Sequence, residues 1–183
     1  MKKWSDFLKI ALTFTLSSGM FIHSAFAAPD DFNGNSEQYA TPASAVKNAL
    51  TRLGHNYTES KDIQGNPHFV ITDDNDANVQ NIAVFMTDCG KAGCDDVLLY
   101  ADFGVLKHIT PEHLNNWNHI SAMHRTRLFL SGDVNSARHV GQSSVVSFLG
   151  HSKADQEKLA MQIGLFLVEV GIFSSAVEQS GLK

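Results

Sequence analysis

Between Ser152 and Gln179 the apolar residues Leu159, Ile163, Phe166, Leu167, Val170, Phe173 and Val177 recur at helical spacing, and they demand a partner surface. A helix of this kind draws most of its stability from burying that stripe against another element. Ser152 supplies an N-cap, and Asp155 three residues on completes a variant of the capping box. Gly164 and Gly171 interrupt the helix at about 1 kcal/mol each relative to alanine, so close packing is expected at both.

The middle of the chain offers that surface, because its period changes to two. Segments 57–63 and 67–72 read as strands joined by Gln64-Gly65-Asn66, with Asp73 to Asp76 as a second turn. Ile82, Val84 and Met86 alternate with Ala83 and Phe85, and 97–103 is a further β-rich run. Two more strands are expected near 126–131 and 136–147, turned by residues 132–135. Shorter helices flank this β region. Thr41-Pro42 reads as an N-cap followed by proline at the first helical position, with Val46, Ala49, Leu50 and Leu53 on one face and Gly54 as the stop. Thr110-Pro111-Glu112 repeats the start signal for a helix over 111–123, with Leu114, Trp117, Ile120 and Ala122 or Met123 as its buried stripe. The fold class is therefore α+β: an antiparallel sheet of about five strands with helices over one face. The element order is α-β-β-β-α-β-β-α, with room for one extra short strand.

The first residues speak of location. Lys2 and Lys3 precede an apolar run over 7–22, and Ala25-Phe26-Ala27 supplies a small-x-small cleavage pattern. Residues 1–27 thus read as a signal peptide cleaved near Ala27, and the expected location is the periplasm. An uncleaved anchor is the alternative, although Thr13, Thr15, Ser17, Ser18, Gly19 and His23 dilute an already short core. Residues 28–40 read as a flexible leader, and 41–183 as one folded domain. Residues 28–183 hold 11 basic and 18 acidic side chains, a net charge of −7 with histidines neutral. That balance argues against a nucleic-acid partner and against docking on an anionic membrane. No stable membrane insertion is expected after cleavage.

Cys89 and Cys94 are the only cysteines, and in an exported chain they read as a disulfide stapling a hairpin across Gly90 to Gly93. A thiol oxidoreductase is the sharper alternative, but the spacing is C-x4-C and no helix follows to activate a thiol. Two sulfurs alone support zinc poorly. His108, His113, His119 and His124 cluster near the second helix at spacings of five, six and five. Those spacings do not bring two imidazoles together as i and i+4 would, so no metal site and no cofactor is expected. A looser metal or small-ligand response involving His139 or His151 is the alternative. No nucleophile elbow, phosphate-binding lysine loop, dinucleotide glycine fingerprint or zinc-protease motif occurs, and no catalytic residue is assigned. An unrecognised hydrolase would need distant residues brought together.

Three features in order resemble the YbjN-domain family, bacterial proteins associated with sensory transduction regulation. They are Cys89-x4-Cys94 at a strand end, Leu114-Asn115-Asn116-Trp117-Asn118 on the next helix, and Arg125-Thr126-Arg127-Leu128-Phe129-Leu130 entering a strand. The resemblance spans roughly residues 42–177. It implies a fold like that of type III secretion chaperones, a protein or peptide partner, compatibility with a homodimer, and no shared catalytic residues. Gly141-Gln142-Ser143-Ser144 departs from the glycine-rich turn expected before the last helix. Asn115, Trp117 and Asn118 are the candidate motif, read either as structural or as contacting a partner. The ring of Trp117 suits burial, and the two amides suit backbone groups at a strand end.

Overall fold

The computed structural model describes residues 40–73, 76–119, 125–132, 138–147 and 149–182. The segments read as signal peptide and leader lie outside these residues, apart from Ala40, as do Ile120, Ala122, Met123 and His124. Six strands form one antiparallel sheet: β1 (Tyr57–Lys61), β2 (Pro67–Ile71), β3 (Asn81–Cys89), β4 (Cys94–Val105), β5 (Arg127–Ser131) and β6 (His139–Ser147). Their spatial order is β1-β2-β3-β4-β6-β5. Three helices accompany them: α1 (Ala43–Arg52), α2 (Pro111–Asn118) and α3 (Lys153–Ser180). The fold is α+β as expected, and the sheet has six strands, four of them before α2, so the extra strand for which the element order left room is present.

Helix α3 starts as its sequence requires. The Asp155 N–H donates to Ser152 Oγ at 3.1 Å, and the Ser152 N–H donates to Asp155 Oδ2 at 3.2 Å. Gly181 closes it in the left-handed region at φ 65°. By length and composition α3 would suit a membrane span; in the fold its inner face, from Leu159 through Phe173 to Val177, builds the core. Phe69, Val84, Met86, Val97, Leu99, Phe103 and Val140 meet it from the sheet, and Val46 and Leu50 from α1.

Two local expectations need correction. Thr41 does not cap α1; Pro42 is the N-cap residue, and Thr41 instead pairs with Cys94 as an isolated antiparallel bridge, its N–H on Cys94 O at 2.7 Å. The competing partner is a strand end, and two backbone hydrogen bonds outweigh one side-chain cap. The helix glycines are not explained by close packing: a Cβ on Gly164 would stand 3.6 Å from Leu53 Cδ2, and one on Gly171 would meet nothing within 4 Å. As expected of the segment 136–147, Gly141 to Ser144 are strand and not turn. They lie inside β6, between β4 and β5.

At the far end of β4 the register shifts between Asp102 and Val105. Gly104 sits in that irregularity at φ 71°, where the Gly104 N–H reaches Asp102 Oδ1 at 2.7 Å and an added Cβ would strike Gln80. The left-handed φ favours glycine there, whereas the clash involves only the movable end of the Gln80 side chain.

Candidate partner-binding face

Because side chains alternate across a strand, fixing Leu99, Val84 and Phe69 against the helices turns their neighbours to the other side. The register then lines up His68, Phe85, Leu98 and Val145 in one row across β2, β3, β4 and β6. Val70, Ala83, Tyr100, Ser143 and Arg127 make the next. Among the described residues no helix covers this face. Its rings touch in sequence: His68 stacks on Phe85 at 4.5 Å and 5°, Phe85 meets Tyr100 edge-on at 6.3 Å, and Tyr100 meets Phe129 at 6.1 Å. Phe129 lies across Gly141, where a Cβ would come within 2.6 Å of Cζ. The missing side chain in β6 is what lets the ring lie down over the sheet.

The four rings are half-buried, whereas Val145 is 58% exposed. Burial pushes the Tyr100 phenol above its ordinary value, and nearby Asp102 adds to the effect. The middle of the face thus stays uncharged at neutral pH near Tyr100. Charge gathers around it, in Asp96 on one side, in the Asp102–His139 pair, 2.9 Å apart, on the other, and in Arg127 at the β5 edge.

The sheet edges are closed differently. On β5 the outward backbone groups of Leu128 are taken by one side chain: Leu128 N–H donates to Asn118 Oδ1 at 2.8 Å, and Asn118 Nδ2 donates to Leu128 O at 3.0 Å. Just before it, the Thr126 N–H and hydroxyl both donate to the buried carboxylate of Glu169, at 3.2 and 2.6 Å, and Arg127 donates to Thr126 O at 2.9 Å. Gln142 on β6 completes this buried cluster by donating to Thr126 Oγ1 at 2.9 Å. The opposite edge, β1, is short and carries Glu59 and Lys61. Both are devices that discourage strand addition.

The candidate motif on α2 therefore divides. Asn118 is the edge plug just described. Trp117 is half-buried and packs edge-on against Phe173 at 5.4 Å. Asn115 is exposed; its carbonyl accepts from the His119 N–H at 3.2 Å and lies 2.6 Å from His119 Nδ1. None of the three reaches the open sheet face. The aromatic row was not singled out from sequence, although Phe85, Tyr100 and Phe129 occupy positions that alternate with core residues.

Cys89 and Cys94 are bonded, at 2.01 Å between sulfurs, and they are register partners at the β3–β4 hairpin. The hairpin also holds the chain entering α1, since Gly93 lies so close to Thr41 O that a Cβ would stand 2.5 Å away. A disulfide fits an oxidising compartment. Closing so short a loop should contribute about 2 kcal/mol. The Cys89→Ser, Cys94→Ser double variant is expected to unfold at correspondingly lower urea, and the unreduced wild type to show no titratable thiol; two free thiols in the folded protein would overturn the assignment.

The histidines serve separate local roles. His113 closes the α2 capping box through Nδ1, 3.3 Å from the Thr110 N–H; His119 caps the other end; His139 pairs with Asp102; His108 and His151 are exposed. Among the described residues no group of three His, Cys, Asp or Glu side chains is placed to hold a metal ion.

No family model matches the sequence, and no curated protein matches it. Among solved structures the chain is similar to YbjN from E. coli, described as a candidate transcription regulator, at 16% identity and a TM-score of 0.43. The similarity covers 67% of this chain and 89% of that one. It is a likeness of fold.

Proposed function

We propose that this chain is an exported, non-enzymatic binding module that receives a protein or peptide partner on the open face of its sheet. The aromatic row His68–Phe85–Tyr100–Phe129, continued by Leu98 and exposed Val145, carries the reading. Contiguous apolar surface rimmed by polar groups is what interaction sites present. The plugged β5 edge and the charged β1 edge favour docking on the face over strand addition. The signal-peptide pattern of residues 1–27 and the Cys89–Cys94 bond support a periplasmic setting. A histidine-based metal sensor is less well supported, because the described imidazoles are dispersed among caps and a surface pair.

A photo-crosslinking residue at Val145 tests the reading in cells, with Ile63 on the β1–β2 turn, fully exposed, as the control position. One adduct of discrete mass is expected from Val145 and none from Ile63. Phe85→Ala combined with Tyr100→Ala should abolish it while leaving the domain folded. Equal labelling from both positions, or an adduct that survives the double variant, would overturn the assignment; an adduct of twice the chain mass would identify the partner as a second copy.

A further inference from the structure

Helix α3 is apolar on the side the fold leaves open as well as on the side it buries. Between Lys158 and Glu178 the only charged side chain is Glu169, and it is buried against Thr126. Met161, Val168 and Ile172 stand 52%, 59% and 38% exposed on the outer surface. Half-buried Leu165 lies among them, and Leu53 extends the strip beside Gly164. From Met161 through Leu165 and Val168 to Ile172 the steps are four, three and four residues, the spacing of a seam between two packed helices. A helix that is hydrophobic all round is ordinarily buried all round. Among the described residues no element covers this strip.

Electrostatics and shape both point to a second copy as the cover. Residues 28–183 carry a net charge of −7, so two copies repel wherever their charged surfaces meet. The α3 strip is uncharged and lets them approach, whereas the same net charge opposes an anionic bilayer. The strip is also complementary to itself. About a two-fold axis at Val168, α3 runs antiparallel to its copy, and residues equally far from Val168 fall level with one another. Leu165 comes level with Gly171 of the other copy, Ile172 with Gly164, and Met161 with Ser175, so a large side chain faces a small residue each time. The two glycines, which close packing inside the domain does not explain, gain a reason. At the ends, Lys158 comes level with Glu178 and Glu157 with Gln179, which sets opposite charges together and no acid against acid. The exposed hydrocarbon is on the order of 300 Å² per copy, and the pair would bury less than about 1,200 Å² in total, the size of a weak interface.

We propose that two copies of this chain pair through the outer face of α3, antiparallel about Val168, in a weak symmetric dimer. The contact lies on the far side of the domain from the aromatic row and stands or falls independently of it.

Sedimentation of the intact protein from about 10 µM to 1 mM is expected to show the mass rising from one chain toward two, as a weak interface requires. Val168→Lys sets like charges on the axis at a position that a single copy leaves exposed. It should hold the protein at one chain with unchanged melting at low concentration. Phe85→Ala with Tyr100→Ala should dimerise as the wild type does. Oxidation of single-cysteine variants by diamide reads the geometry. Val168→Cys should join to its copy, whereas Met161→Cys, about 21 Å along the helices from its counterpart, should not. One chain at every concentration, a dimer that survives Val168→Lys or disappears with Phe85 and Tyr100, or equal joining of the two cysteine variants would each overturn the proposal.

Discussion

Phe173→Ala is expected to be the most damaging single truncation in the domain. The ring is 1% exposed and meets Phe103 at 4.8 Å and 89° and Trp117 at 5.4 Å and 85°, both edge-to-face. It therefore ties α3 to β4 and to α2 at one point. Removing a buried aromatic ring costs about 3–5 kcal/mol through lost transfer energy and the cavity left behind. That is a large share of a stability of roughly 5–15 kcal/mol. The melting temperature should fall by on the order of 10 °C. Ile172→Ala, one position along and 38% exposed, is the control and should change stability by less than about 1 kcal/mol. Matching losses at the two positions would mean that the inner stripe of α3 is misplaced.

Asn118→Ala should act on stability and on assembly together. It removes both hydrogen bonds to Leu128, the N–H at 2.8 Å and the carbonyl at 3.0 Å, and leaves those groups facing outward from an edge strand. At about 1 kcal/mol per bond and somewhat more for a partly buried pair, we expect a loss of about 2–3 kcal/mol by urea unfolding. The freed edge should also make the protein associate at concentrations where the wild type does not, visible by sedimentation. Asn118→Asp separates the two bonds, since a carboxylate still accepts from the Leu128 N–H but faces its carbonyl without a donor. It should retain only part of the stability. Wild-type unfolding and sedimentation in Asn118→Ala would show that the amide does not guard the edge.

Both results depend on how α2 meets the rest of the domain, and that is where sequence reading and structure part company. The motif Leu114 to Asn118 could be placed on a helix from Thr110-Pro111 alone, because capping and proline preference act within one turn. That an asparagine amide would serve a strand end was also foreseeable, as helical asparagine is unfavourable without a bond to make. Which asparagine does so was not. Asn118 reaches Leu128 and Asn115 faces solvent because of the angle at which α2 packs beside β5, a matter of tertiary contact.

Period and punctuation determined the helices, the strands and their antiparallel character, since these follow from residues within a few positions of each other: the Ser152–Asp155 box, Gly54 past the end of α1, and alternation at 82–86. Composition determined the acidic, two-cysteine character of the chain. The tertiary structure alone decided that β6 inserts between β4 and β5 and that Thr41 joins Cys94 in place of capping a helix. It also decided which face of the sheet stays open. Alternation divides side chains into two sets but does not say which set meets the helices when both are apolar, as with Leu99 and Leu98 or Val84 and Phe85. That choice belongs to α3, whose stripe can cover only one side.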